Sequence, residues 1–461
     1  LTHVVLDGFV ANIADSYNVG ILMFLIMLGA LVAIMNKAGG SAAFGRWATK
    51  HIKTRIGAQC ATIVLGILIF IDDYFNCLTV GSVMRPVCDG HKISRAKLSY
   101  LIDATAAPVC IIAPISSWAA AVAGFARGAG AENGISLFVS AIPYNFYALL
   151  TILMMFFLAF SNLDYGPMAK HEFNAVNNGD IFTTGKHEDT SDAEVNPKGK
   201  VIDLVLPIVV LIICCIIGMI YSGGFFSGEN FIDAFSNSDA SVGLALGAFV
   251  TLIITVIYFL IRHTMSFSDI MSGLPEGFKA MVPAIMILAC AWTLKAMTDS
   301  LGAKIFISQL IESSAGAFEN FLPAIIFAIA VGLSFATGTS WGTFGILIPI
   351  VLSVFTAGEP ITIVAISACM AGAVCGDHCS PISDTTIMAS AGAQCDHINH
   401  VNTQLPYALT VAGVSFVSYI IAGFVPNWII VLPIAIALMI GTLLVIHKVS
   451  SKKTAATKAA K

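Results

Sequence analysis

Charge is what this chain has least of. Only 11% of its 461 residues are Asp, Glu, Lys or Arg, where an average soluble domain carries about 25%. Mean hydropathy is +0.88. So little polar surface cannot keep a globule of this length dissolved, so most of the chain must be solvated by lipid. The net charge of −4 is small and dispersed, with no basic stripe, which sets nucleic acid aside as a partner. Cysteine pairs are missing too. There are eleven Cys but no C-x-x-C, and most sit in apolar runs, as Cys214-Cys215 and Cys290 do. They read as small buried hydrophobes rather than a disulfide framework. Cys395, Asp396, His397 and His400 have a spacing that a metal could use, although two His in one helical turn are common without one. No H-E-x-x-H and no P-loop occurs, and the one soluble stretch is a short linker, which leaves little for a membrane enzyme. The first residue is Leu, with no signal-peptide pattern behind it; the expectation is that the natural start lies upstream.

What is present is a series of apolar runs near the 20 residues that cross a bilayer: 18–36, 137–160, 201–221, 241–261, 280–297, 404–424 and 428–447. Four more stretches, 56–86, 98–124, 321–356 and 361–395, are apolar but broken by Gly, Pro or clustered polar residues. Charge asymmetry orders them. Lys37, Arg46, Lys50, Lys53 and Arg55 stand in 37–55 without an acid, and Arg85, Lys92, Arg95 and Lys97 face one Asp89 in 85–97. Both segments are expected on the cytoplasmic side. The stretch 56–86 must then enter and return as a hairpin that turns at Ile71–Asn76. Carrying the count forward puts 161–200 inside and the acidic 222–240 outside. The Lys-rich tail ends inside only if 321–356 is a second hairpin, entered from outside.

The pattern helix, hairpin, broken helix, helix thus occurs twice in opposite orientation. The expected fold is an all-α polytopic membrane protein: an inverted-topology repeat with two re-entrant hairpins and two discontinuous helices. Residues 1–160 form the first repeat, with one or more scaffold helices expected before Leu1. Residues 161–200 are a cytoplasmic linker, 201–447 the second repeat and 448–461 a cytoplasmic tail.

Unwound backbone at membrane depth is tolerated only where protein or a water-filled cavity satisfies it. The turn Asp72, Asp73, Asn76 is therefore paired with the broken stretch carrying Asp103, Thr105, Pro108, Ser116 and Ser117. The turn Thr337, Thr339, Ser340 is paired with Asp377, His378, Ser380, Ser383, Asp384, Thr385 and Thr386. In each half the helix after the turn is expected to end near a proline, Pro86 or Pro349. A carboxylate at membrane depth costs about 2.5–3.5 kcal/mol on insertion scales, so each calls for a reason. Asp384 has a capping role as its structural alternative, Asp72 and Asp73 a wet hairpin turn, and Asp103 a solvated place at a helix end. The clustered hydroxyls suit Na+, a hard cation that prefers oxygen, with Asp377, Asp384, Thr339 and Ser383 as its ligands; singly, each hydroxyl also back-bonds readily to helix carbonyls. His378 is a candidate proton carrier, and Trp341 is expected to pack the second tip. Burial disfavours a charged carboxylate. Proton and Na+ would then compete for one site, and the neutralised site would cross by an elevator movement.

Gly338-Thr-Ser-Trp-Gly-Thr-Phe-Gly345, Ser380-Pro-Ile-Ser-Asp-Thr-Thr386 and Cys395-Asp-His-Ile-Asn-His-Val-Asn-Thr-Gln404 resemble the NhaC family of Na+/H+ antiporters, as does Phe70-Ile-Asp-Asp-Tyr-Phe-Asn76. The likeness spans about residues 18–425. It implies membership of the ion transporter superfamily, a usually dimeric scaffold, Na+ and H+ as transported ions without a cofactor, and the inner membrane of a prokaryote. Carboxylate carriers of that superfamily have Ser-Asn-Thr at both tips, whereas two acids stand at one tip here and favour a cation. The alternative is a carrier of a small organic acid or amino acid coupled to Na+ or H+, because relatives of the family also resemble malate–lactate exchangers and amino-acid carriers.

Overall fold

The computed structural model describes residues 2–70, 73–114, 116–128, 134–183, 196–302, 305, 309, 319–355 and 359–459. It is 84% helical, with no strand among the described residues. The helices that matter below are α1 (Ser16–Lys37), α2 (Arg55–Leu68), α3 (Asp73–Gly90), α4 (Arg95–Thr105), α5 (Ser117–Gly128) and α6 (Phe146–Ser161). They are followed by α7 (Ile202–Ser222), α8 (Ala240–Ile261), α9 (Phe267–Ser300), α10 (Leu322–Thr337) and α11 (Ser340–Val354). The last are α12 (Pro360–Cys379), α13 (Asp384–Ala393), α14 (His397–Phe424) and α15 (Trp428–Ala459).

Six of these helices are long and apolar enough to cross a membrane: α1, α7, α8, α12, α14 and α15. Ser136–Tyr144 and Phe146–Ser161, bent by 49° at Asn145, make a seventh if they form one span. The chain is therefore a multi-span membrane protein. The run expected at 280–297 is the rear of the 34-residue α9. Pro86 and Pro349 lie inside α3 and α11 rather than ending them. That corrects the expectation, and its reason is physical: neighbouring helices can re-satisfy the carbonyl that a proline frees.

Short polar residues set the helix starts. Asp15, Thr54, Ser94, Asn145, Thr339, Ser383 and Asp396 each accept a backbone N–H of the helix they precede. Two cores result. One joins α4–α6 to α10–α12 and α14, with Trp118, Tyr147, Phe344 and Tyr419 buried in it. The other joins α1, α3, α7, α8 and α13. Helix α10 runs along α12, where Gly372 and Gly376 let the backbones meet: a Cβ on Gly376 would lie 2.3 Å from the Val331 carbonyl. Helices early and late in the chain pack on one another. Helix α13 lies on α3, and α11 lies on α5.

Ion pairs tie one end of the bundle. Lys97 meets Asp164 at 2.6 Å and Arg95 meets Asp89 at 2.9 Å, while Arg55 pairs with Glu172. Arg262 pairs with Asp203 across α8 and α7. Two of the basic residues read as cytoplasmic, Arg55 and Lys97, thus find their acids in 161–178, while Arg95 finds Asp89 within its own segment and Lys37 finds Glu276. The linker acids Glu188, Asp189, Asp192 and Glu194 lie outside the described residues.

Candidate functional site

Four helix ends meet around two breaks. Helix α10 stops at Thr337, Gly338 takes a left-handed turn (φ +66°), and α11 starts at Ser340 with Thr339 as its N-cap. Only glycine fits here, because a Cβ on Gly338 would lie 2.5 Å from the Ile382 carbonyl. Ile382 belongs to the second break, where α12 stops at Cys379 and α13 starts at Asp384 behind the N-cap Ser383. Two helix C-termini, whose carbonyl ends are partly negative, and two N-termini therefore face one small volume.

Asp377 sits in it, almost wholly buried. Its Oδ2 accepts hydrogen bonds from Ser340 Oγ (2.8 Å) and Thr385 Oγ1 (2.9 Å). Its Oδ1 is buried and accepts none. A buried carboxylate oxygen left without a donor keeps its lone pairs for a cation or a proton. Asp384 opens α13, where its Oδ1 accepts the Thr385 N–H (2.8 Å) and its Oδ2 accepts Tyr74 Oη–H (2.6 Å). Asp384 is thus first in its helix, not its cap; Ser383 caps it by accepting the Thr386 N–H at 3.2 Å. Thr339 accepts the Gly342 N–H at 3.3 Å, and Thr337 back-bonds to Leu333 at 2.9 Å. Ser380 donates to the Phe335 carbonyl at 2.9 Å. Of the four Na+ ligands expected, the two carboxylates stand in the polar volume, and the hydroxyls of Thr339 and Ser383 are engaged as caps.

Gly338–Gly342 has the G-x-S-x-G spacing of a hydrolase nucleophile elbow. Ser340 joins helix to helix rather than strand to helix, and its hydroxyl donates to a carboxylate and to the Ala373 carbonyl, not to an imidazole.

The break near Asn76 has different chemistry around it. Asp103 holds its carbonyl to the Ala106 N–H (3.1 Å) at the end of α4, as Asp377 does to the Ser380 N–H (2.9 Å) at the end of α12. Asp103 is completely buried, so its place is not the solvated helix end that the sequence left open. Asn76 closes the first break as glue: its Nδ2 lies 2.7, 2.8 and 3.1 Å from the carbonyls of Gly66, Ile69 and Thr105. Thr105 back-bonds to Leu101 and Ser116 to Cys110, both at 2.8 Å. Asp73 is buried at the start of α3, and Asp72 lies outside the described residues. Trp341 packs edge-on against Trp118, 5.6 Å between centroids.

Around Asp103 stand groups that sequence reading did not connect to it. Its Oδ2 accepts from Gln404 Nε2 (2.6 Å) and lies 3.1 Å from His400 Nε2; its Oδ1 lies 3.5 Å from His378 Nε2. Tyr147 Oη is 3.0 Å from His378 Nδ1. His397 turns away, to Pro381 and Ser390, so the spacing of Cys395–His400 makes no metal cluster; none exists among the described residues. The signal that was available is the i, i+4 pair His400 and Gln404, polar on one face of an apolar helix.

Comparison with known proteins adds the following. The model of the Na+/H+ antiporter family matches residues 109–424. An uncharacterised protein of Haemophilus influenzae is 40% identical over 419 residues, 88% of this chain and 79% of that one. A second Haemophilus influenzae protein, described as an uncharacterised Na+/H+ antiporter, is 31% identical over 157 residues, 34% of this chain and 33% of that one. The malate-2H+/Na+-lactate antiporter of Bacillus subtilis is 28% identical over 167 residues, 36% of this chain and 35% of that one.

Proposed function

The chain belongs to the Na+/H+ antiporter family, whose members are transporters and not enzymes, and on that premise we propose that it exchanges Na+ for H+ across the inner membrane of a prokaryote. The observation that carries the reading is Asp377: a buried carboxylate with one oxygen unclaimed, flanked by Ser340, Thr385 and Asp384, where two helix C-termini converge. Oxygen ligands, net negative charge and carbonyl ends of helices are what a small hard cation needs. An empty, charged site is costly to carry through lipid and a neutralised one is not, so only the loaded site crosses. That gives obligatory exchange.

The inverted repeat and its re-entrant tips are part of the same proposal. Supporting them are the reciprocal packing of α13 on α3 and α11 on α5, and the matched ends of α4 and α12 at Asp103 and Asp377. An elevator movement of the broken helices against α7 and α8 belongs to the same proposal, as does a homodimer, which rests on the family resemblance alone. The second reading is a carrier that exchanges small carboxylates with Na+ or H+. It is favoured by the likeness to a malate/lactate antiporter. Purified protein in liposomes holding a pH dye separates the two. Proton movement on addition of Na+ alone supports the first; movement that needs malate or lactate supports the second.

A further inference from the structure

Helices α14 and α15 leave a groove of about 430 Å³ between them, within the size range of ligand sites. Thr410, Gly413 and Val417 line it from α14, and Leu438, Thr442 and Ile446 from α15. Its two hydroxyls are spent on their own helices: Thr410 donates to the Pro406 carbonyl and Thr442 to that of Leu438, both at 2.8 Å. The walls are therefore apolar. A Cβ on Gly413 would meet nothing within 4 Å, so that position stands open. Of the six spanning helices α15 is the least buried, and the groove opens on lipid. Lipid tails are as apolar as leucine, so such a groove alone selects no occupant. The charge at its mouth does. Thr410 and Ile446 lie at the end away from the short connection at 425–427, and α15 continues past Ile446 as a helix to Ala459. Beyond Ile446 come Lys448, Lys452, Lys453, Lys458 and Lys461, and no Asp or Glu follows Asp396. Lys453 stands seven positions past Ile446, about two turns on, along the face that lines the groove. Tyr165 reaches the groove wall by donating to Thr410 at 2.8 Å, and Asp164 beside it is already engaged by Lys97.

We propose that this groove binds one anionic phospholipid, an acyl chain lying along Gly413 and Thr442 and its phosphate at the lysine-rich end of α15. Lysines clustered directly cytoplasmic of a spanning helix attract anionic headgroups, and this cluster stands at the end of a groove that admits a chain. A second copy of this protein is the rival occupant, and charge argues against it. A two-fold interface sets the same surface of both copies together. That would bring two lysine tails side by side, whereas an anionic lipid neutralises one. The site does not depend on what the protein transports. It does bear on the transport machinery, because α14 also carries Gln404, within two turns of Thr410. Gln404 Nε2 holds Asp103 at 2.6 Å and the His378 carbonyl at 2.8 Å, so an occupied groove braces the helix that orients those groups.

The test is lipid retention by the purified full chain in nonionic detergent, read by native mass spectrometry. The probes are phosphatidylglycerol, phosphatidylcholine with the same acyl chains, and glycerol 3-phosphate, each added at rising concentration. One phosphatidylglycerol per chain is expected, half-saturating at about 100-fold lower concentration than phosphatidylcholine at low salt, because three lysines act on its charge at about fivefold each. About 0.5 M NaCl should remove most of that difference. Gly413→Leu, which fills the groove, should weaken phosphatidylglycerol retention at least about tenfold. Lys448→Gln, Lys452→Gln and Lys453→Gln together should erase the preference and leave the weaker binding that the acyl chain supplies. Equal retention of the two lipids by the wild type overturns the proposal, as does unchanged phosphatidylglycerol binding in Gly413→Leu. Glycerol 3-phosphate held as tightly as the lipid overturns it too, since the lysines would then bind an ion without the groove. A dimer that Gly413→Leu converts to monomer, with lipid retention unchanged, would give the groove to a second copy instead. Should Gly413→Leu not purify as folded protein, the triple lysine variant decides, because its changes lie beyond the groove: a preference for phosphatidylglycerol retained there refutes the site.

Discussion

Tyr74, near the start of α3, donates a 2.6 Å hydrogen bond to Asp384, at the start of α13, and so joins residues 310 positions apart in the chain. The bond joins α3 to α13 at the polar volume itself. It orients one of the two carboxylates that the cation reading needs and fixes the distance between the breaks.

Tyr74→Phe removes that hydroxyl and little else. A hydrogen bond to a charged acceptor is worth about 1.5–3 kcal/mol, so the half-saturating Na+ concentration should rise by about 10- to 100-fold, with the thermal unfolding midpoint in detergent little changed. An unaltered Na+ dependence would detach Tyr74, and with it Asp384, from the site.

Asp377→Asn keeps the shape and removes the charge. At about 4 Å and an effective dielectric constant near 20, a unit pair is worth about 4 kcal/mol, so Na+-driven proton movement should fall by at least about 100-fold. Asp384→Asn should cost less, because Asp384 already has Tyr74 and its own helix start to satisfy it. Reverse ranking of the two variants, or retained transport in Asp377→Asn, goes against Asp377 as the principal ligand.

These tests concern a site that was partly visible beforehand. The breaks at Gly338 and at Ser380–Ser383 could be read from Gly, Pro and clustered polar residues in apolar runs, because such residues in lipid signal backbone freed from a helix. Caps were less legible: Thr339 and Ser383 look like cation ligands in sequence, and in the fold each also sits just before a helix and accepts one of its N–H groups. What sequence could not supply was partnership. His400 and Gln404 lie 297 and 301 residues from Asp103, and local spacing carries no information about contacts at that range. The prolines misled for a related reason, since neighbouring helices decide whether Pro86 and Pro349 end a helix or sit inside one.

Gly338→Ala tests the close approach of the two breaks. A left-handed turn costs a residue with Cβ about 1–2 kcal/mol, and that Cβ would lie 2.5 Å from the Ile382 carbonyl. The expected result is a lowered unfolding midpoint together with a large loss of transport. Gly413→Ala is the matched control, because nothing lies within 4 Å of the added methyl in α14. Equal stability for the two variants would mean that the breaks do not touch as described.

The last prediction concerns a buried charge pair between α4 and Asp164. Lys97 is buried, 2.6 Å from Asp164, and its ammonium lies 5.3 Å from the centre of the Tyr407 ring. Tyr407 Oη also donates to Asp164 at 2.9 Å, so α4, α14 and the start of the linker share one charge pair. Breaking a buried pair by removing one partner costs about 3–5 kcal/mol, because the other charge stays desolvated, whereas removing both can be close to neutral. Lys97→Met should therefore lower the unfolding midpoint sharply, Asp164→Asn should do so as well, and the double variant should be more stable than Lys97→Met alone. Strictly additive losses would show that Lys97 and Asp164 do not act as a pair, and that the linker is held to α4 by something other than this charge.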